Sequence, residues 1–223
     1  MKKILIPVTN HANLGETDQV NGTYAPELTH ALHVILDAGL DYDIASIKGG
    51  KAPLYGTDID GDAVNAAILN NDEFQNRINN TLPVSQINID DYAAVFYPGG
   101  FGLLSDLATN EDFAKLSATL YENGGILAAV CHGPGALLPI TLSTGEKLLA
   151  TKSVTGFTRE EEIDYGTLAH VPFLLEESLA RSAALYSKVQ PWGVFVIEDE
   201  RLITGQNPAS AQAVGEALVK QLT

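Results

Sequence analysis

The chain contains one cysteine, and its surroundings suit a nucleophile. Cys131 lies in Gly124-Gly125-Ile126-Leu127-Ala128-Ala129-Val130-Cys131-His132-Gly133-Pro134, an apolar strand-like run that stops at a reactive side chain. Small, turn-forming residues then open a helical segment. A cysteine at such a strand-to-helix turn projects from the carboxyl edge of a sheet, where α/β enzymes bind ligands. Backbone N–H groups at a helix start favour thiolate over thiol, and the adjacent His132 is placed to assist ionisation or carry a proton. The competing reading is a buried cysteine packed as a small hydrophobe. The flanking Gly133 and His132 favour the nucleophile.

A second turn, Pro98-Gly99-Gly100-Phe101-Gly102, ends another strand-like run, Tyr92 to Tyr97. Glycine lets the backbone approach a ligand closely, so the N–H groups of this turn and of His132 are candidates for an oxyanion hole. Taken alone, the turn is an ordinary strand–helix connection. Gly99-x-x-Gly102 is neither a dinucleotide fingerprint nor a phosphate-binding loop. Glu27, at the start of a helix, is by itself a complement to the helix dipole. Glu160-Glu161-Glu162 by itself reads as a solvated face. His30 and His33 share a helical face with no further ligand in sight, so no metal site is expected. Trp192 and the eight tyrosines read as core and rim residues.

The elements that must position these groups follow from periodicity. Lys3–Val8 reads as a strand, and Leu28, Leu32, Ile35 and Leu36 recur at helical spacing after Pro26 until Gly39. Tyr42–Ile47 reads as the next strand. This β-loop-α-β order opens a doubly wound α/β sheet. Residues 48–90 are irregular apart from a helical pattern over Ala63–Ile78, and are expected to form a cap inserted beside the sheet. Helix from Glu111 to Asn123, strand at 126–130, extended chain over Ser153–Phe157 and helix over Phe173–Ala184 follow. A hairpin of Val194–Ile197 with Leu202–Thr204 precedes a closing helix around Ala213–Leu218. Without a repeat or linker, residues 1–223 are expected to form one domain.

Composition narrows the function. The 28 acidic and 13 basic side chains leave a formal charge of −15, which disfavours binding to a phosphate backbone. One cysteine rules out an intrachain disulfide framework and fits a reducing compartment. The N-terminal apolar run is too short for a signal peptide, and no stretch is long enough for a membrane span, so a cytoplasmic protein without membrane or nucleic-acid partners is expected.

Ala128-Ala129-Val130-Cys131-His132-Gly133-Pro134, Tyr97-Pro98-Gly99-Gly100, Val154-Thr155-Gly156-Phe157-Thr158 and Leu202-Ile203-Thr204-Gly205-Gln206-Asn207-Pro208-Ala209-Ser210 together resemble the ThiJ/PfpI superfamily, closest to its chaperone and glyoxalase III branch. The resemblance runs in order over nearly the whole chain. It implies the class I glutamine-amidotransferase-like fold: a flavodoxin-like, mostly parallel sheet with helices on both faces, a nucleophile elbow and a small cap. It also implies that Cys131 is the nucleophile, His132 its histidine, Glu162 the partner of that histidine, and Glu27 the carboxylate at the sulfur. Glu160 and Glu161 compete with Glu162 for that place. Gly99, Gly100 and Phe101 would line the oxyanion side; Phe101 stands where similar proteins often have histidine, which makes the pocket more apolar.

The activity so implied is cofactor-independent and metal-free: a 2-oxoaldehyde such as methylglyoxal becomes a 2-hydroxy acid such as D-lactate through a cysteine hemithioacetal. Homodimers are common among such proteins. A cysteine hydrolase using Cys131, His132 and Glu162 is the main alternative; a stress-response chaperone and a redox sensor are others. Glutamine amidotransfer is disfavoured, because no histidine follows His170.

Overall fold

The structure is a computed structural model that describes residues 2–223. Its centre is a seven-stranded sheet of β1 (Lys3–Pro7), β2 (Tyr42–Ser46), β3 (Leu82–Pro83), β4 (Tyr92–Tyr97), β5 (Ile126–Val130), β6 (Val196–Asp199) and β7 (Leu202–Gly205), in the order β6-β7-β5-β4-β1-β2-β3. All neighbours are parallel except the β6–β7 hairpin. β5 lies inside the sheet, covered on both faces, and this is why it reads as an unbroken apolar run and is buried throughout.

Seven main helices accompany the sheet: α1 (Ala25–Asp37), α2 (Ala63–Leu69), α3 (Asp72–Asn79), α4 (Glu111–Glu122), α5 (Arg159–Tyr165), α6 (Leu175–Ser182) and α7 (Ala211–Leu222). The β1-α1-β2 and β4-α4-β5 crossovers run in opposite directions along the sheet. Right-handed connections therefore put α1 and α4 on opposite faces. α7 packs beside α1 and against β5 and β7. Strand order reverses between β1 and β4, so the crevice at their carboxyl ends is the place for a ligand.

The sequence reading and the structure part in four places. The helical pattern over Ala63–Ile78 is two helices, because Asn70 ends the first and the Asn71 side chain caps the second by accepting the Phe74 N–H at 3.0 Å. Leu82–Pro83, inside the 48–90 segment, joins the main sheet as its edge strand; proline is tolerated there because an edge leaves N–H positions unpaired. Of Ser153–Phe157, only Ser153–Val154 forms a ladder, with Leu185–Tyr186. The helical segment after Cys131 is a five-residue 3₁₀ helix, Gly133–Leu137, and not a full α-helix.

Candidate active site

Strand pairing carries Cys131 one residue past the end of β5. Val130 faces Gly205 in the β5–β7 ladder, and the Cys131 N–H donates to the Gly205 carbonyl at 3.0 Å. The Cys131 carbonyl accepts the Phe157 N–H at 2.9 Å. These bonds hold Cys131 at φ 60°, a left-handed conformation that costs a non-glycine residue ~1–3 kcal/mol. Gly133 allows the tight turn to follow: a Cβ there would lie 2.2 Å from the Tyr97 carbonyl oxygen on β4.

His132 is buried, with its ring between Phe101 and Phe157 at centroid distances of 4.5 Å each. Its Nδ1 lies 3.3 Å from Cys131 Sγ and its Nε2 lies 2.8 Å from Glu162 Oε1. With Nε2–H donating to the carboxylate, the Nδ1 lone pair faces the thiol. The other Glu162 oxygen accepts the Thr167 hydroxyl.

The three consecutive glutamates have three fates. Glu160 is exposed and pairs with Lys188 at 2.7 Å. Glu161 is buried and accepts the Thr158 N–H and hydroxyl, each at 2.9 Å, through one oxygen. Through the other it accepts the Trp192 N–H at 2.8 Å and the side-chain amides of Gln206 and Asn207 at 3.1 and 2.8 Å. Only Glu162 faces His132. The solvated-face reading therefore holds for Glu160 alone, and long-range packing overrides it at the other two.

Glu27 comes from the first turn of α1 and is wholly buried, with no hydrogen-bond partner for either carboxyl oxygen. Burial pushes its pKa up to about 8, against a weaker opposing pull from the nearby Cys131 thiol and Gly99 N–H, neither of which makes a well-formed hydrogen bond to it. The Cys131 thiol is itself pushed well above its usual value, first by burial and then by the Glu27 carboxylate. The thiolate expected from the helix start is therefore not favoured: the following helix is one short 3₁₀ segment, and the pocket floor is too dry for two negative charges.

Gly99 and Gly100 close this floor. A Cβ on Gly99 would lie 2.3 Å from Glu27 Oε2, 2.8 Å from the Cys131 Cβ and 2.9 Å from the His132 nitrogen. Gly100 adopts φ 107°, and a Cβ there would meet the Gly22 carbonyl oxygen at 2.3 Å. Among the described residues, neither the Gly100 nor the His132 N–H donates to another backbone carbonyl.

A pocket of about 280 Å³ opens above the thiol. Glu27, Cys131, His132 and Phe101 line it, and so do Tyr24, Tyr55, Phe157, Tyr165 and Trp192. Sequence reasoning missed the last group as pocket residues. Tyr55 lies in an irregular segment and Trp192 in a loop, where periodicity carries no signal. The role of Glu161 had a signal, since Thr158-x-x-Glu161 is a capping-box pattern, and both of its reciprocal hydrogen bonds form. His30 and His33 lie away from the pocket and pair with Asp62 and Asp37.

The profile of the DJ-1/PfpI family matches residues 20–221. The chain is 31% identical to the glutathione-independent glyoxalase HSP31 of Saccharomyces cerevisiae, over 95% of this chain and 94% of that one. Rapid Encystment Protein 24 kDa of Francisella tularensis superposes with a TM-score of 0.95 and 33% identity over the full length of both chains. Glyoxalase III of Candida albicans superposes with a TM-score of 0.87 and 27% identity, over 98% of this chain and 96% of that one.

Proposed function

Since the chain belongs to the DJ-1/PfpI family, we propose that its pocket is the active site of a glyoxalase III-type enzyme, which turns a 2-oxoaldehyde and water into a 2-hydroxy acid without cofactor or metal. Cys131 is the nucleophile. As its sulfur adds to the aldehyde carbon, the thiol proton passes by way of His132 Nδ1 to the former carbonyl oxygen, which becomes the hemithioacetal hydroxyl. Glu27, as carboxylate, removes the proton from that carbon and returns it to the neighbouring, former ketone carbon through an enediol-like state. As the hydroxyl proton crosses to the former ketone oxygen, the first carbon is oxidised to a thioester and the second reduced to an alcohol. Water, activated by His132, then releases the acid and restores the thiol. The Gly100 and His132 N–H groups support negative charge on oxygen, and Gly99 and Phe101 shape that wall.

One observation carries this reading: Glu27, a buried carboxyl with no hydrogen-bond partner, packed beside the nucleophile. A hydrolase built on Cys131, His132 and Glu162 has no use for it, whereas proton transfer between adjacent carbons requires a base of this kind. Burying an unsatisfied carboxyl costs several kcal/mol, roughly, and such a cost persists where function requires it. We also read residues 48–90 as the cap of this site, since they bring Tyr55 to the pocket, and extend the family resemblance to a cytoplasmic homodimer.

The test is lactate formation from methylglyoxal by metal-free, thiol-free protein, beside Cys131→Ser. Turnover by the wild type and a loss of at least about 10³-fold in the variant support the proposal. A wild type that makes no lactate but cleaves amides would establish the hydrolase instead.

A further inference from the structure

We propose that the mouth of the pocket selects an uncharged 2-oxoaldehyde with a flat apolar substituent, and that Trp192 and Tyr165 are the residues that hold this substituent. The inference rests on the glyoxalase reading of the site.

Charge comes first. Apart from tyrosines, the only ionisable residues lining the pocket are Glu27, Cys131 and His132, and no lysine or arginine is among them. A carboxylate or phosphate on the substrate would enter without a countercharge, beside an acid that burial already keeps from ionising. The site is built for neutral molecules.

The wall above the catalytic groups is a continuous aromatic surface. Phe157 packs on His132, and the Trp192 ring lies one step further out, 5.7 Å from Phe157 between centroids. On the other side, Phe101 packs on His132 and stacks with Tyr165 at 5.7 Å. Tyr165 and Trp192 meet at 6.3 Å. The inner rings are buried, but Tyr165 keeps 52% and Trp192 41% of its surface exposed. An aryl substituent has a flat face with which to cover apolar surface of this outer pair that water otherwise wets, and a methyl group has far less area to offer.

The backbone supplies an independent sign. Trp192 sits at φ 63°, rare for a bulky residue, and of the three described non-glycine residues at positive φ, two line this pocket: Trp192 and Cys131. Glu161 holds it there by accepting its N–H at 2.8 Å, and the indole N–H reaches Asp164 at 3.3 Å. Strain of this kind collects at ligand clamps.

The experiment compares kcat/KM for phenylglyoxal, read as mandelate, with that for methylglyoxal, read as lactate. Wild type, Trp192→Ala, Trp192→Phe and Tyr165→Ala are compared, with folding checked by circular dichroism. The wild type is expected to favour phenylglyoxal by about tenfold or more, the scale of a hydrophobic pocket contact. Trp192→Ala should lower that ratio by about tenfold, chiefly through KM, while Trp192→Phe keeps it within about threefold. Should Trp192→Ala fail to fold, Tyr165→Ala carries the same comparison. 4-Carboxyphenylglyoxal should be turned over at least about tenfold less efficiently than phenylglyoxal. A wild type that converts methylglyoxal as well as phenylglyoxal overturns the selectivity and leaves the glyoxalase reading standing. An undiminished ratio in a folded Trp192→Ala and Tyr165→Ala overturns the assignment to these residues. Conversion of neither substrate by the wild type removes both readings together.

Discussion

Glu27 and Cys131 share one dry floor, packed together against Gly99, and the Glu27 carboxylate adds to the burial that pushes the thiol up. Burial is the larger cause for both. Two acids in this position cannot both ionise near neutral pH, so the resting site holds the carboxyl and the thiol in their protonated forms. On the proposed mechanism, His132 Nδ1, 3.3 Å from the sulfur, is then the acceptor that lets addition begin. On the same proposal the carboxyl becomes the working base only when its own proton has left.

The pH profile follows from that order. Glu27 has a pKa of about 8, so its basic form is scarce at pH 6 and predominates above pH 8. On this account kcat/KM for methylglyoxal rises with pH through about 8, and in Glu27→Asp the inflection moves with the new carboxyl. A profile flat from pH 6 to pH 9 in the wild type would remove Glu27 as the base.

The same residue must cost stability. The folded pKa of Glu27 lies above its unfolded value, so between about 4.5 and about 8 the unfolded chain binds fewer protons than the folded one. Stability contributed by this group is present below that window and is lost as pH rises through it. Glu27→Gln should therefore be close to wild type near pH 4.5 and gain on it steadily to pH 8, on the order of 1.4 kcal/mol per pH unit at most. Denaturant midpoints measured across this range check the slope; a gain independent of pH would contradict it.

Three adjacent glutamates should behave as three different residues. Glu160→Gln should change stability by less than about 0.5 kcal/mol and leave turnover unaltered, since its pairing with Lys188 is at the surface. Glu161→Ala orphans donors from Thr158, Trp192, Gln206 and Asn207 and should cost on the order of 3 kcal/mol or more. Glu162→Gln should retain most of the stability but lose about 10²-fold in kcat, because the acceptor at His132 Nε2 is no longer a carboxylate. Thermal unfolding and lactate assays on the three variants separate these outcomes.

How far the sequence could be read depended on distance along the chain. The elbow was legible because Ile126–Val130 is a local apolar run and Cys131-His132-Gly133 breaks it at once. The alternation of β1, α1 and β2 was legible for the same reason. Choosing Glu162 over its neighbours required the family resemblance, since Glu161 is buried by Gln206 and Asn207, more than forty residues away. The two-residue strand Leu82–Pro83 is too short to leave a period, and its pairing with Ala45 and Ser46 exists only in three dimensions. The state of Cys131 was not legible in the sequence, because burial, and after it the Glu27 carboxylate on another element, push the thiol up.

The central claim is the division of labour between the sulfur that binds and the carboxyl that moves the proton. Its most direct test is lactate production from methylglyoxal by Glu27→Gln at pH 8, with the wild type in parallel and Cys131 alkylation confirming a free thiol in both. The account predicts a folded variant with an intact, alkylatable Cys131 and kcat reduced by about 10³-fold or more. Lactate formed by Glu27→Gln within about tenfold of the wild-type rate would contradict it, and the proton would then have to travel by His132 alone.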